Sequence, residues 1–378
     1  MNRRTFLTHS LIAAAASATA RASGRAEHLD VWRETGRYGG WPANHGMWGW
    51  GDELLVGFTA GVMKTGDPMR HPIDRSAGEQ HVLSRSVDGG RTWRVETPAA
   101  LQPPPRPERR AITGEPLRLP APEVPPAPID FTEPGLALTF RAAHRTAGAL
   151  MFVGRDRGRT WSGPYVVPAF DTPGLDPRTD YLVVGRHELL VFQTALKQNG
   201  REGRPLAIRT TDGGRTWTRL GWIGPETEGF RIMPATVALG SGSRRLYTVI
   251  RRRDGETRHS LEGYRSDDGG GTWQATGVVA DDTGRGNPAS LVRLADGRLC
   301  CVYGFRAKPF GIRFVTSRDE GASWAAPRTL RADASDWDLG YPRTSVRQDG
   351  RLVTVYYYND ARGPERYIAA SLWHPDDA

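Results

Sequence analysis

An all-β fold, a six-bladed β-propeller, is predicted for this 378-residue chain by three observations. First, five eight-residue stretches are near copies of one another: SVDGGRTW from Ser86, GRDRGRTW from Gly154, TTDGGRTW from Thr210, SDDGGGTW from Ser266 and SRDEGASW from Ser317. Second, prolines recur upstream of them at Pro42, Pro134, Pro177, Pro234, Pro288 and Pro342, the last four spaced by 57, 54 and 54 residues. Third, alternating apolar runs separated by polar turns follow most of these prolines, as in SLVRLADGRLCCVYGF and TSVRQDGRLVTVYYYN. A fixed period near fifty residues is the mark of a repeat array read as one architecture. Each unit has room for about four short strands.

Taken in order, the elements begin with a leader. MNRRTFLTHSLIAAAASATARASG has paired Arg3 and Arg4, a short Ala-rich apolar run and small residues at Ala18, Ala20 and Ala22. It predicts a removable twin-arginine-type signal over 1–22 and a periplasmic or secreted mature protein over 23–378. The stretch HLDVWRE is expected to add the final strand to the last unit, which has no turn motif of its own. Within each eight-residue copy, the leading Ser or Thr and the Asp at the third position can pin a turn through the backbone. Gly at the fifth position supplies a left-handed conformation, and the closing Trp buries its ring against neighbouring strands. Gly154 replaces the hydroxyl residue in the second copy, which is expected to be the loosest. The Pro-rich segment at about 102–133 breaks the period and reads as an extended insertion.

Composition narrows the function. Without Arg3, Arg4 and Arg21 the 51 basic residues fall to 48 against 42 acidic ones, spread along the chain. No basic stripe with stacking aromatics points to nucleic acid, and no apolar run outside the leader reaches membrane-spanning length. The adjacent Cys300 and Cys301 cannot meet ordinary disulfide geometry. The nine histidines show no metal-ligand spacing, so neither metal nor organic cofactor is expected.

In a propeller the innermost strands face the central funnel. With period-two alternation, the residues on either side of each repeated proline share one side. These are Trp41/Ala43, Glu133/Gly135, Asp176/Arg178, Met233/Ala235, Asn287/Ala289 and Tyr341/Arg343. Such a ring suits a polar sugar pocket.

The repeated S-x-D-x-G-x-T-W turns resemble the Asp-boxes of the sialidase superfamily, over essentially the whole mature chain. The resemblance implies a glycoside hydrolase that holds a carboxylated sugar with arginines, attacks with a Tyr and transfers protons with an Asp. By that resemblance Tyr341 is the nucleophile, polarised by Glu228 or Glu133, and Asp74 is the acid/base. Arg251 and Arg313 resemble two of the family's arginines, and Arg178 and Arg343 join them as an anion clamp. Asn44, Asp176, Asn287 and Glu133 are expected to bind substrate. Two departures stand out: Gly40-Trp41 replaces the family's Arg-Ile before Pro42, leaving Arg37 as the nearest arginine, and Met233 replaces the Glu before Pro234.

The expectation is an exported, monomeric exo-glycosidase releasing a terminal acidic sugar, sialic acid or a relative, from a glycan. Two alternatives accompany it. His45, beside Asn44, suits a general base, which would make the protein a lyase or hydrolase acting on uronate-linked sugars. Asp-box propellers also serve as non-catalytic glycan-binding or assembly modules.

Overall fold

The computed structural model describes residues 25–102, 123–142, 148–200, 202–240, 244–255 and 257–378. Residues 1–22, expected to form a leader, and most of the Pro-rich segment lie outside these residues. The described chain is almost entirely strand, in a propeller arrangement of sheets. Four sheets of three to five strands succeed one another along the chain. They run from Ala137–Ala142 to Ser162–Val167, from Leu175–Asp176 to Thr218–Trp222, from Phe230–Ala238 to Gln274–Ala280, and from Ala289–Arg293 to Arg328–Arg331. The fifth sheet has nine strands and joins the two ends of the chain.

This differs from six separate units. The nine-stranded sheet unites the first and last repeats because Arg37–Gly40 meets Gly363–Trp373 at one parallel bridge, Tyr38 to Arg366. The N-terminal strand Glu27–Trp32 pairs antiparallel with Gly363–Trp373, as HLDVWRE anticipated. Apolar faces of neighbouring sheets pack on each other, and Cys300 and Cys301 fall into two different core clusters because adjacent strand residues face opposite ways.

The repeated turns are built as expected. In the first, Ser86 Oγ accepts from Gly90 N at 2.8 Å, and Asp88 Oδ1 accepts from Arg91 N and Thr92 N at 3.0 and 2.9 Å. Thr92 Oγ1 donates to Asp88 Oδ2 at 2.6 Å. The fifth-position glycines 90, 158, 214, 270 and 321 all have positive φ. The closing Trp93, Trp161 and Trp273 donate Nε1 to the carbonyl of that glycine at 3.0 Å, and their rings are half-buried. The second copy keeps the Asp156 bonds to Arg159 N and Thr160 N but has no hydroxyl at Gly154 to accept from Gly158.

These turns carry an acid-sensitivity. Burial pushes Asp88 and Asp268 up, but hydrogen bonds from turn hydroxyls and amides outweigh it and hold both at about 2. Hydrogen bonds led by Ser323 do the same for Asp319. A carboxyl depressed in the fold contributes stability above its ordinary pKa of 3.8 and loses it as pH falls toward 2. Melting temperature followed by tryptophan fluorescence is therefore expected to fall between about pH 4 and pH 2. The fall should be shallower in Asp268→Asn, and a profile flat to pH 2 contradicts this.

The prolines act differently from the simple alternation. Lacking an N–H, Pro42, Pro177, Pro234 and Pro342 interrupt the innermost strand instead of riding in it, while Pro134 and Pro288 lie just ahead of theirs. Arg37–Gly40 and Met47–Trp50 both pair with Glu53–Val62, and the short helix Pro42–His45 is thrown out between them. Leu175–Asp176 and Tyr181–Gly185 likewise flank Pro177 on one partner strand. Bulges occur at Met233-Pro234 and Tyr341-Pro342. Trp41, Met233 and Tyr341, each just before a proline, have φ of 58, 59 and 50°. Left-handed backbone at a bulky residue is strained. Here it re-aims Trp41 and Tyr341 toward the central space.

Candidate active site

A cavity of about 710 Å³ lies between the interrupted inner segments at Pro42, Pro177 and Pro342 and the strand bearing Leu150 and Phe152. Of the twelve residues expected at the site, His45, Asn44, Asp176 and Tyr341 line it. Arg141, His81, His71, Arg75, Glu79 and Trp41 are among its other lining residues.

Arg141, at the end of strand Ala137–Ala142, is the residue that sequence reasoning missed. It is buried, its Nη1 donates to His45 Nδ1, and its Nε and Nη2 have no hydrogen-bond partner among the described residues. Burial pulls its pKa down to about 9, so it is still a cation at neutral pH. The signal was one arginine in the otherwise uncharged run ALTFRA. Asn44 Oδ1 is another buried polar atom on this wall without a partner among the described residues.

His45 is fixed at both nitrogens. Because a guanidinium only donates, Nδ1 accepts from Arg141, and Nε2–H donates to Thr59 Oγ1 at 2.8 Å. Gly57 makes room for it, since a Cβ there would lie 2.7 Å from His45 Cβ. Burial, then Arg141 and His81, hold His45 well below the ordinary histidine range. It is a neutral positioning group rather than a free base. His81 packs edge-on against it with ring centroids 4.9 Å apart. His81 Nδ1 bonds the Leu101 carbonyl at 2.8 Å, so Nδ1 carries the proton and Nε2 keeps its lone pair. Burial and Arg141 also keep His81 neutral.

Tyr341 is 7% exposed, and its hydroxyl accepts from Arg251 Nη1 at 3.3 Å. Its backbone N–H donates to Asn287 Oδ1 at 2.9 Å, while Asn287 Nδ2 donates to the Leu339 carbonyl at 2.9 Å. Asn287 is thus fully buried and positions Tyr341 instead of touching substrate.

The four arginines do not form an anion clamp. Arg178 is 1% exposed and donates to the carbonyls of Ala43, Met233 and Ala289 at 3.0, 3.1 and 2.7 Å. Arg343 donates to the carbonyls of Ala43 and Thr179. Both side chains brace inner segments of different repeats, and burial lowers both pKa values, that of Arg178 to about 9. Arg313 lies over the Phe305 ring at 3.3 Å and does not line the cavity. Arg251 alone of the four reaches Tyr341.

The carboxylates also separate. Glu133 pairs with Arg155 at 3.3 Å beside the second turn, and Glu228 is exposed; neither lines the cavity. Asp74 lines a neighbouring cavity of about 620 Å³. Hydrogen bonds from Ser76 hold its carboxyl below the ordinary range, which suits a turn-maker better than a proton donor. Asp176 does line the central cavity. Among the described residues no group of three His, Cys, Asp or Glu side chains could hold a metal ion.

Comparison with known proteins agrees with this architecture. A protein of unknown function from Dyadobacter fermentans superposes with a TM-score of 0.64 at 19% identity, covering 92% of this chain and 98% of that one. The NanB sialidase of Streptococcus pneumoniae gives 0.58 at 12% identity, covering 92% and 70%. An alpha-L-arabinofuranosidase from Fusarium graminearum gives 0.56 at 14%, covering 91% and 98%. At such identities the likeness is one of fold. No curated protein matches the chain. The sequence profile described as BNR repeat-like domain matches residues 142–355, more than half of the chain. With its repeated turns and sialidase-like sheets, the chain belongs to the BNR repeat-like family.

Proposed function

We propose that this protein is a glycoside-cleaving enzyme that takes a terminal acidic sugar in the central cavity, with Arg141 receiving the carboxylate. The observation that carries this reading is the pair of guanidinium nitrogens, unpartnered among the described residues, on a buried arginine at the cavity wall. A buried cation that lacks a paired carboxylate costs several kcal/mol, on the order of 3 or more, and a carboxylate with two oxygens would complete it in bidentate fashion. A volume of 710 Å³ is in the range of small-ligand sites. Tyr341 is the nucleophile of the hydrolytic reading: its oxygen bonds the anomeric carbon as the glycosidic C–O bond breaks, and water then releases the sugar. The fold shared with a sialidase and an arabinofuranosidase supports glycosidase chemistry in general.

A second reading is favoured by His81, which lines the wall with Arg141 and whose Nε2 has no hydrogen-bond partner among the described residues. There Arg141 would neutralise a uronate carboxylate while His81, in place of His45, removes the neighbouring proton in a β-elimination. Incubation with glycans ending in sialic acid, other ulosonic acids, uronates or rhamnose separates the readings. Release of a saturated acidic sugar supports hydrolysis, and an ultraviolet-absorbing unsaturated product supports the lyase. Binding without any product would replace both with a recognition module.

The nine-stranded sheet counts, in this proposal, as two blades fused through the Tyr38–Arg366 bridge, making six in all. The protein is exported through its twin-arginine leader and works outside the cytoplasm as a monomer.

A further inference from the structure

We propose that His71, held by Asp338, donates the proton to the leaving oxygen, the role that the sequence resemblance gave to Asp74. This rests on the reading of the site as glycoside-cleaving. His71 and Arg75 border both the central cavity and the neighbouring cavity of about 620 Å³. A substrate with its acidic sugar in the first and the remainder of the glycan in the second passes its scissile oxygen beside His71.

The imidazole is built for the task. Its Nδ1 lies 2.6 Å from Asp338 Oδ1, and Asp338 is fully buried. Burial raises the Asp338 pKa, but His71, Arg306 and Arg366 outweigh it, so Asp338 is an ionised acceptor. Nδ1 therefore carries hydrogen, and Nε2, with no protein partner among the described residues, is the nitrogen that exchanges a proton. The ring is gripped edge-on by Trp41 at 5.1 Å and flanked by Trp337 at 5.8 Å. Tyr357 donates to the same Asp338 oxygen at 2.6 Å, and Arg366 Nε reaches the other at 3.3 Å, so the carboxylate cannot swing away. Asp338 is a positioning residue.

In the step, the glycosidic C–O pair goes to the leaving oxygen, which takes the Nε2 proton and departs as an alcohol. The anomeric carbon bonds Tyr341 oxygen, whose phenolic proton passes to solvent. Water then attacks the anomeric carbon, giving one proton to Nε2 and keeping the other as the sugar hydroxyl, and Tyr341 leaves and takes a proton back from solvent, restoring both groups.

The test compares His71→Gln with wild type on two substrates of the sugar that wild type releases. One is a natural disaccharide; the other is a dinitrophenyl glycoside, whose leaving group departs without protonation. Turnover of the disaccharide is expected to fall about 10²- to 10⁴-fold, and that of the dinitrophenyl glycoside less than about tenfold. Asp338→Asn should show the same split more weakly. An equal loss on both substrates, or no loss on either, overturns the role of His71 while leaving the glycosidase reading intact. A folded wild type inert on every glycan of the panel overturns both together.

Discussion

Arg141→Met is expected to lose acidic-sugar binding by at least about 10²-fold, in line with ~1.5–3 kcal/mol for each hydrogen bond to a charged group, with little net change in thermal stability. The physical reason is that the guanidinium is buried with two of its nitrogens unpartnered among the described residues, so removing the desolvated charge offsets the acceptor left unpaired at His45 Nδ1. Replacing it with an apolar side chain of similar length removes a desolvated charge while keeping the packing. The same substitution at Arg178 should do the reverse. Its guanidinium satisfies carbonyls of Ala43, Met233 and Ala289, which belong to three different repeats. Leaving those carbonyls buried and unpaired costs about 1–3 kcal/mol each before relaxation, so Arg178→Met is expected to melt many degrees lower or fail to fold. Isothermal titration with the released sugar and a thermal melt on both variants check the pair. If Arg141→Met binds like wild type, the carboxylate sits elsewhere in the cavity. If Arg178→Met melts like wild type, the axial braces carry little of the stability.

Tyr341→Phe is expected to abolish hydrolysis, by at least about 10³-fold in kcat, while the melting temperature changes little. Only the hydroxyl is removed, and its hydrogen bond in the structure is the 3.3 Å contact from Arg251 Nη1. At that length a bond from a charged group contributes at the low end of its range, about 1.5 kcal/mol. The ring still packs 6.0 Å from Tyr357, and the backbone N–H still donates to Asn287. Stability is therefore a control on activity. Steady-state kinetics on the released sugar decide between the outcomes: a variant turning over like wild type removes Tyr341 from the chemistry. Full retention together with an unsaturated product would move the reaction to His81 and Arg141.

These two sites show where sequence patterns inform on function and where they stop. The five turns were legible to the atom because their chemistry is local. Ser86, Asp88, Gly90, Thr92 and Trp93 satisfy one another within eight residues, and the Asp bonds recur in the other four copies. Tyr341 and His45 were legible because each lies close to a repeated proline whose missing N–H interrupts a strand. Arg178 and Arg343 were read correctly as lying on the inner segments and wrongly as free. Their partners are backbone carbonyls of other repeats, separated from Arg178 by 55 to 135 positions, and carbonyls leave no trace in a residue pattern.

By itself, then, the chain's residue order determined the turns, the strands and the repeat that lays sheets side by side, since all of these depend on neighbours within a few tens of residues. Only the tertiary structure decided which charged groups are spent on bracing and which keep nitrogens unpartnered among the described residues. That distinction between Arg178 and Arg141, or between Asp74 and the His71–Asp338 pair, is a matter of what lies across the cavity from each, and it comes into being when distant strands meet around a common axis.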